Sequence, residues 1–272
     1  MQAPRLPITL FVFFTTCSWL TAEPSKQPTA ISPEVLAEMR QVHAKFDGQR
    51  GYVAQFGDSI TYSMAFWSPM SWDDPAKYLD GKDGLPKKPE GARWRDHIKG
   101  ARDKGPKFAN YSGWRVGNLL KSIGTVLERE RPEVALIMVG TNDISGGKVP
   151  GSYKAELDQL VQKCLEANCV PVLNTIPPRR DREKVVGEIN TIIREVASSR
   201  NIPLVDFHAE ILRRRPGESW DGTLISKDGV HPSGGKTNDY STENLKQSGY
   251  ALRNWVNFLM LRELHFRVLE AG

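Results

Sequence analysis

Short apolar runs alternate along this chain with longer segments whose apolar residues recur at helical spacing. That alternation restricts the fold more than any other feature. Tyr52 to Phe56, Val134 to Val139, Val170 to Asn174 and Ile202 to Phe207 read as buried strands, and Lys107 to Asn110 as a fifth, short one. Helices are expected from Gly113 to about Leu127, from Ser152 to Ala167 and over 181–199. In the last of these Val185, Val186, Ile189, Ile192, Ile193 and Val196 share one side. A final helix from about Thr242 to Phe266 carries Leu252, Trp255, Val256, Leu259 and Leu261. Strands and helices in this order predict an α/β fold, a parallel five-stranded sheet with helices on both faces. A length of 272 residues suits one such domain with insertions.

The amino-terminal segment follows a different logic. Arg5 precedes the apolar run Ile8 to Phe14, and small or polar residues lead to Thr21-Ala22. This charge, short apolar core and small-residue exit read as an export signal over 1–22, giving a secreted or periplasmic protein. Cys17 raises a lipid anchor, which the preceding Phe14-Thr15-Thr16 disfavours. The run is too short and too interrupted to span a bilayer, which takes about 20 mostly apolar residues. Residues 23–47 form a linker and a helix capped by Ser32, with Pro33 at its first position. The main domain covers 48–272. Within it 67–107, rich in Pro, Gly, Lys and Asp, reads as a long surface insertion.

The formal charge of +5 is spread through interspersed acids and bases, and no nucleic-acid motif accompanies it. Cys164 and Cys169 flank a helix–strand junction, where a disulfide and two buried thiols are both open readings. No Cys-x-x-Cys pair or His/Cys cluster suggests a metal, and no cofactor is expected.

Four short blocks carry chemistry. Gly57-Asp58-Ser59-Ile60-Thr61 ends the first strand and places a hydroxyl at its carboxyl edge, where open α/β sheets bind ligands. Asn110-Tyr111-Ser112-Gly113-Trp114 offers the backbone N–H of Gly113. Gly140-Thr141-Asn142-Asp143 offers the Asn142 amide, and Asp228-Gly229-Val230-His231-Pro232 offers an imidazole with a carboxylate three residues before it. A serine alcohol becomes a nucleophile when a base takes its proton, and His231 can do so if Asp228 fixes its tautomer.

These blocks, in this order, resemble the SGNH or GDSL hydrolase family, from about Gly51 to the last helix. The resemblance implies a flavodoxin-like three-layer α/β/α sandwich. It implies Ser59 as nucleophile, His231 as base and Asp228 as the acid that orients it. The oxyanion hole would be the N–H groups of Ser59 and Gly113 with the Asn142 amide; Gly117 is the alternative to Gly113. Ile60 stands where the family name has leucine, an exchange that affects packing. No Gly-x-Ser-x-Gly elbow is present, which argues against an ordinary α/β-hydrolase.

Plainer roles exist for each residue. Ser59 and Asn142 can cap helices, Gly113 can serve a turn, and Asp228 with His231 can form a surface pair. Asp143 reads as structural, tying down its own loop. His43, His97, His208 and His265 have no comparable context. Trp67, Trp72, Trp94, Trp114 and Trp220 fall near the blocks and suit stacking on sugar rings, or else pin the insertion as a satellite core. Trp255 reads as core. The function expected is an exported esterase deacetylating carbohydrate. A lipolytic enzyme, thioesterase or acyltransferase of the same fold, and a non-catalytic carbohydrate-binding protein, are the competing readings.

Overall fold

A computed structural model describes residues 31–270. The expected export signal and Cys17 lie outside them. Ser32 caps α1 (Pro33–His43) by accepting from the Val35 N–H, with proline at the first turn as its missing donor allows. The sheet contains β1 (Gln49–Gly57), β2 (Pro132–Met138), β3 (Val170–Asn174) and β4 (Leu204–Val205), all parallel and in the order β1-β2-β3-β4. Val53 pairs with Val134 and Val134 with Val170, so the buried aliphatics line up across the sheet. β2 and β3 are buried along their whole length, as strands covered on both faces must be.

The helices are α2 (Ser59–Tyr62), α3 (Val116–Glu130), α4 (Tyr153–Glu166), α5 (Glu183–Ser199), α6 (Phe207–Arg214) and α7 (Gly249–Leu264). The crossovers through α3, α4 and α5 step the same way along the sheet. Right-handed connections therefore put these three on one face, where α3 packs on α4 and α4 on α5. α1, α6 and α7 supply the other layer, with α1 against the π-helical turn at 265–269 and α6 against α7.

The sheet has four strands, not five. Pro106 opens a 3-10 turn through Phe108, and Ala109 takes a left-handed φ of 56°, so 107–110 cannot extend as a strand. This segment meets β1 through one isolated parallel bridge, between Asn110 and Gly57, on the edge where Lys99 bridges Tyr52. That bridge still matters. The chain leaves β1, touches one side of it at Asn110, then crosses through α3 to β2 on the other side. This reversal is a topological switch point, the place where open α/β sheets hold their ligands.

The 67–107 insertion is a series of 3-10 turns built into the core. Trp67 and Trp94 are fully buried, and Trp94 packs edge-on against Phe258 of α7 at 5.1 Å. Cys164 and Cys169 are buried free thiols, the plainer of their two readings.

Candidate active site

β1 ends in a close approach. A Cβ on Gly57 would meet the Met138 carbonyl at 2.1 Å and Thr61 Oγ1 at 2.5 Å, so only glycine fits there. Asp58 then caps α2, its Oδ1 accepting from the Ile60 N–H at 3.0 Å, and Ser59 opens the helix at the carboxyl edge of the sheet. Two basic side chains, the buried Arg253 and the half-buried Lys104, hold this turn from behind. Arg253 of α7 donates to the Ile60 carbonyl at 2.8 Å and to Thr61 Oγ1 at 2.9 Å. Lys104 donates to the Thr61 and Phe66 carbonyls at 2.8 and 3.2 Å and to Gln55 Oε1. Burial lowers both: the Arg253 guanidinium falls to about 10, and the Lys104 ammonium drops well below the ordinary lysine range.

The loop carrying Asp228 and His231 folds back on itself. Ile225 and Pro232 form an antiparallel bridge, and the Ser226 N–H donates to the His231 carbonyl at 2.8 Å. Asp228 Oδ1 accepts from Ser226 Oγ at 2.7 Å and from the Val230 and His231 N–H groups at 2.8 and 3.0 Å. Its Oδ2 lies 2.7 Å from His231 Nδ1, and His231 Nε2 lies 2.9 Å from Ser59 Oγ. Partial burial pushes the Asp228 carboxyl up. The donors from Ser226, His231 and Val230 outweigh that and hold it well below the usual carboxylate range. A carboxylate–imidazole–hydroxyl chain of this kind can move a proton from Ser59 to His231 while Asp228 stabilises the imidazolium.

The other two blocks meet the same hydroxyl edge. The Tyr111 N–H donates to the Gly57 carbonyl at 3.2 Å, and a turn from Tyr111 to Trp114 presents Gly113, exposed and at a φ of 77° that favours glycine. The Asn142 amide donates to the Trp114 carbonyl at 3.0 Å. Its second N–H, and those of Ser59 and Gly113, have no acceptor among the described residues. Gly117 sits in the first turn of α3 facing Glu156, a helix-packing position. Asp143 ties more than its own loop: both its carboxylate oxygens lie 3.2 Å from the Val116 N–H at the start of α3.

The sequence model of the GDSL-like Lipase/Acylhydrolase family matches residues 56–234, which include all four blocks. The chain belongs to the GDSL-like lipase/acylhydrolase family. A multidomain esterase of Ruminococcus flavefaciens is 26% identical over 212 residues, covering 67% of this chain and 26% of that protein. The chain thus spans about a quarter of that relative's length. A lipase/acylhydrolase from Enterococcus faecalis superposes with a TM-score of 0.52 at 20% identity, over 81% of this chain and 97% of that one. A carbohydrate esterase family 3 protein from Talaromyces cellulolyticus gives 0.51 at 19%, over 78% and 98%. At such identities the likeness is one of fold, and it places this GDSL-like chain in the three-layer α/β/α class.

Three of the five tryptophans expected near substrate are withdrawn from it. Trp67, Trp94 and Trp220 are at most 3% exposed and are packed as core, where no ligand can reach their faces. Trp72 is exposed and Trp114 half-buried, whereas Trp255, expected as core, is half-buried against Tyr240. The cavity of about 400 Å³ between the insertion and α7 is lined by Tyr78, Trp255 and Arg262, away from the four blocks. Sequence reading missed a pair of adjacent arginines after β3. Arg179 donates to the Thr141 carbonyl at 2.7 Å, and Arg180 grips Asp221 through two bonds while its backbone N–H donates to the Gly229 carbonyl at 2.9 Å. Their place just beyond the carboxyl end of a strand was the available signal.

Proposed function

We propose that this GDSL-like chain is an exported serine esterase that removes short acyl groups, acetyl foremost, from carbohydrate through an acyl-enzyme. The observation that carries the reading is the continuous chain from Asp228 through His231 to Ser59 Oγ, at 2.7 and 2.9 Å. His231 accepts the Ser59 proton as the oxygen attacks the ester carbonyl. The N–H groups of Ser59 and Gly113 and the Asn142 amide stabilise the oxyanion. His231 then protonates the departing alcohol, and a water molecule, deprotonated by the same ring, hydrolyses the acyl-serine. Export rests on the charge and apolar pattern of 1–22. A carbohydrate substrate is supported by exposed aromatic rings beside the site and by the shared fold with a carbohydrate esterase.

A fluorophosphonate probe should label the protein at Ser59 and leave Ser59→Ala unlabelled; an unlabelled native protein would remove the serine mechanism. Acetate release from acetylated xylan, pectin and chitin fragments then ranks the substrates. Asn142→Ala should lower kcat on the best of them by roughly 10²–10³-fold, the usual consequence of losing one oxyanion donor. Unchanged turnover would take Asn142 out of the mechanism.

A further inference from the structure

Three aromatic rings stand in a row on the two segments that carry Ser59 and Gly113. Tyr62, on the same helical turn as Ser59, has its ring centroid 5.2 Å from that of Tyr111, and Tyr111 lies 6.3 Å from Trp114. The backbone that carries them is the backbone that builds the site. The Tyr111 N–H is bonded to Gly57, the Trp114 N–H closes the turn presenting Gly113, and the Trp114 carbonyl holds the Asn142 amide. Tyr62 is 36% and Tyr111 40% exposed. Among the described residues the other large apolar side chains left so open are Met64, two residues beyond Tyr62, and Trp72. Scattered exposed hydrophobics need no explanation, whereas a contiguous group beside a reactive hydroxyl marks a contact surface.

We propose that Tyr62 and Tyr111, backed by Trp114, form the platform on which the sugar ring of a carbohydrate ester lies while its acyl carbonyl meets Ser59. The assignment rests on the esterase reading and adds the residues that set its substrate class. Phenol rings bury the C–H face of a sugar and keep their hydroxyl ends in water. Interplanar angles of 58° and 65° stand neighbouring rings steeply to one another, so a sugar ring stacks on one phenol face while the next ring meets its rim. A long acyl chain gains instead from removal of its whole surface from water, which an open platform does not provide.

The test compares an acetylated xylo-oligosaccharide with ethyl acetate, an acetyl ester that has no ring to stack. For Tyr62→Ala and Tyr111→Ala, the ratio of kcat/KM on the oligosaccharide to that on ethyl acetate should fall roughly three- to tenfold, the scale of one aromatic contact. The fall should appear in KM, and Tyr62→Phe and Tyr111→Phe should restore the ratio. Equal losses on both esters would overturn the platform, because they would mean damage to the Ser59 turn. A larger loss on ethyl hexanoate than on the oligosaccharide would also overturn it, giving the surface to the acyl chain. A native protein that hydrolyses ethyl acetate and ignores the acetylated oligosaccharide refutes the platform and spares the esterase reading. Failure of Ser59 to react with fluorophosphonate overturns both.

Discussion

Asp58 is completely buried one residue before Ser59, and its Oδ2 has no hydrogen-bond partner among the described residues. Burial pushes its carboxyl up to about 6, against the Ile60 N–H and the charges of Arg253 and His231, and the nearby Asp143 carboxylate adds to the rise. Below the ordinary aspartate range both folded and unfolded chains hold the proton, and nothing is lost. As the pH rises from the ordinary aspartate range through about 6 the unfolded chain releases this proton before the folded one, so stability falls by up to about 3 kcal/mol, complete above about 6. Asp58→Asn removes that titration and keeps an acceptor for Ile60. Urea unfolding at pH 4 and pH 7 should show the variant gaining on the native protein at the higher pH. An equal difference at both would mean Asp58 does not titrate in this window. At this scale the four blocks themselves were legible because each is a short contiguous string. Lys104, Arg179, Arg180 and Arg253 were not: among 37 lysines and arginines, nothing local marks the ones that fold inward.

Among the elements, α7 does most to hold the Ser59 turn. Arg253 reaches the Ile60 carbonyl and Thr61, its guanidinium lies 3.5 Å from the centre of the Phe66 ring, and Asn254 accepts from the Trp67 N–H at 2.7 Å. Arg253→Met keeps much of the volume but leaves two buried acceptors unpaired. Each lost bond to a charged group is worth about 1.5–3 kcal/mol, so the unfolding free energy from denaturant titration should fall by several kcal/mol. A stability within about 0.5 kcal/mol of native would show that the turn is held by packing alone. Periodicity located this helix but began it seven residues early. It starts at Gly249, where Ser248 caps the Ala251 N–H and a Cβ would collide with the Leu224 carbonyl at 1.9 Å. The run Ile202 to Phe207 yields a two-residue β4 for a similar reason. Asp206 caps the Ala209 N–H and starts α6, which the apolar pattern had concealed. Capping decided both boundaries, and it acts through side-chain reach that hydrophobic spacing does not report.

For the whole molecule, the unexpected feature is how deeply 67–107 is embedded. Its composition suggested a surface excursion, yet Trp67, Met70 and Trp94 are core residues, and Asp83 pairs with the buried Arg262 of α7. Composition describes the many exposed residues of such a segment and says little about the few that anchor it. The insertion should therefore unfold with the rest. Tryptophan fluorescence, dominated by rings on both sides of this boundary, should trace the same denaturation curve as far-ultraviolet circular dichroism. An earlier fluorescence transition would mark the insertion as a separate unit. The layered α/β plan itself was readable throughout, since buried parallel strands and amphipathic crossovers leave strong periodic signals.

Arg179 and Arg180 reach in different directions, one to the Asn142 loop and the other to the His231 loop. Consecutive Cα atoms stand about 3.8 Å apart, so a single peptide unit in the loop after β3 touches both. Displacing that peptide would disturb contacts to both loops at once. On heating, the Asn142–Trp114 and His231–Ser59 contacts should then be lost together rather than one after the other.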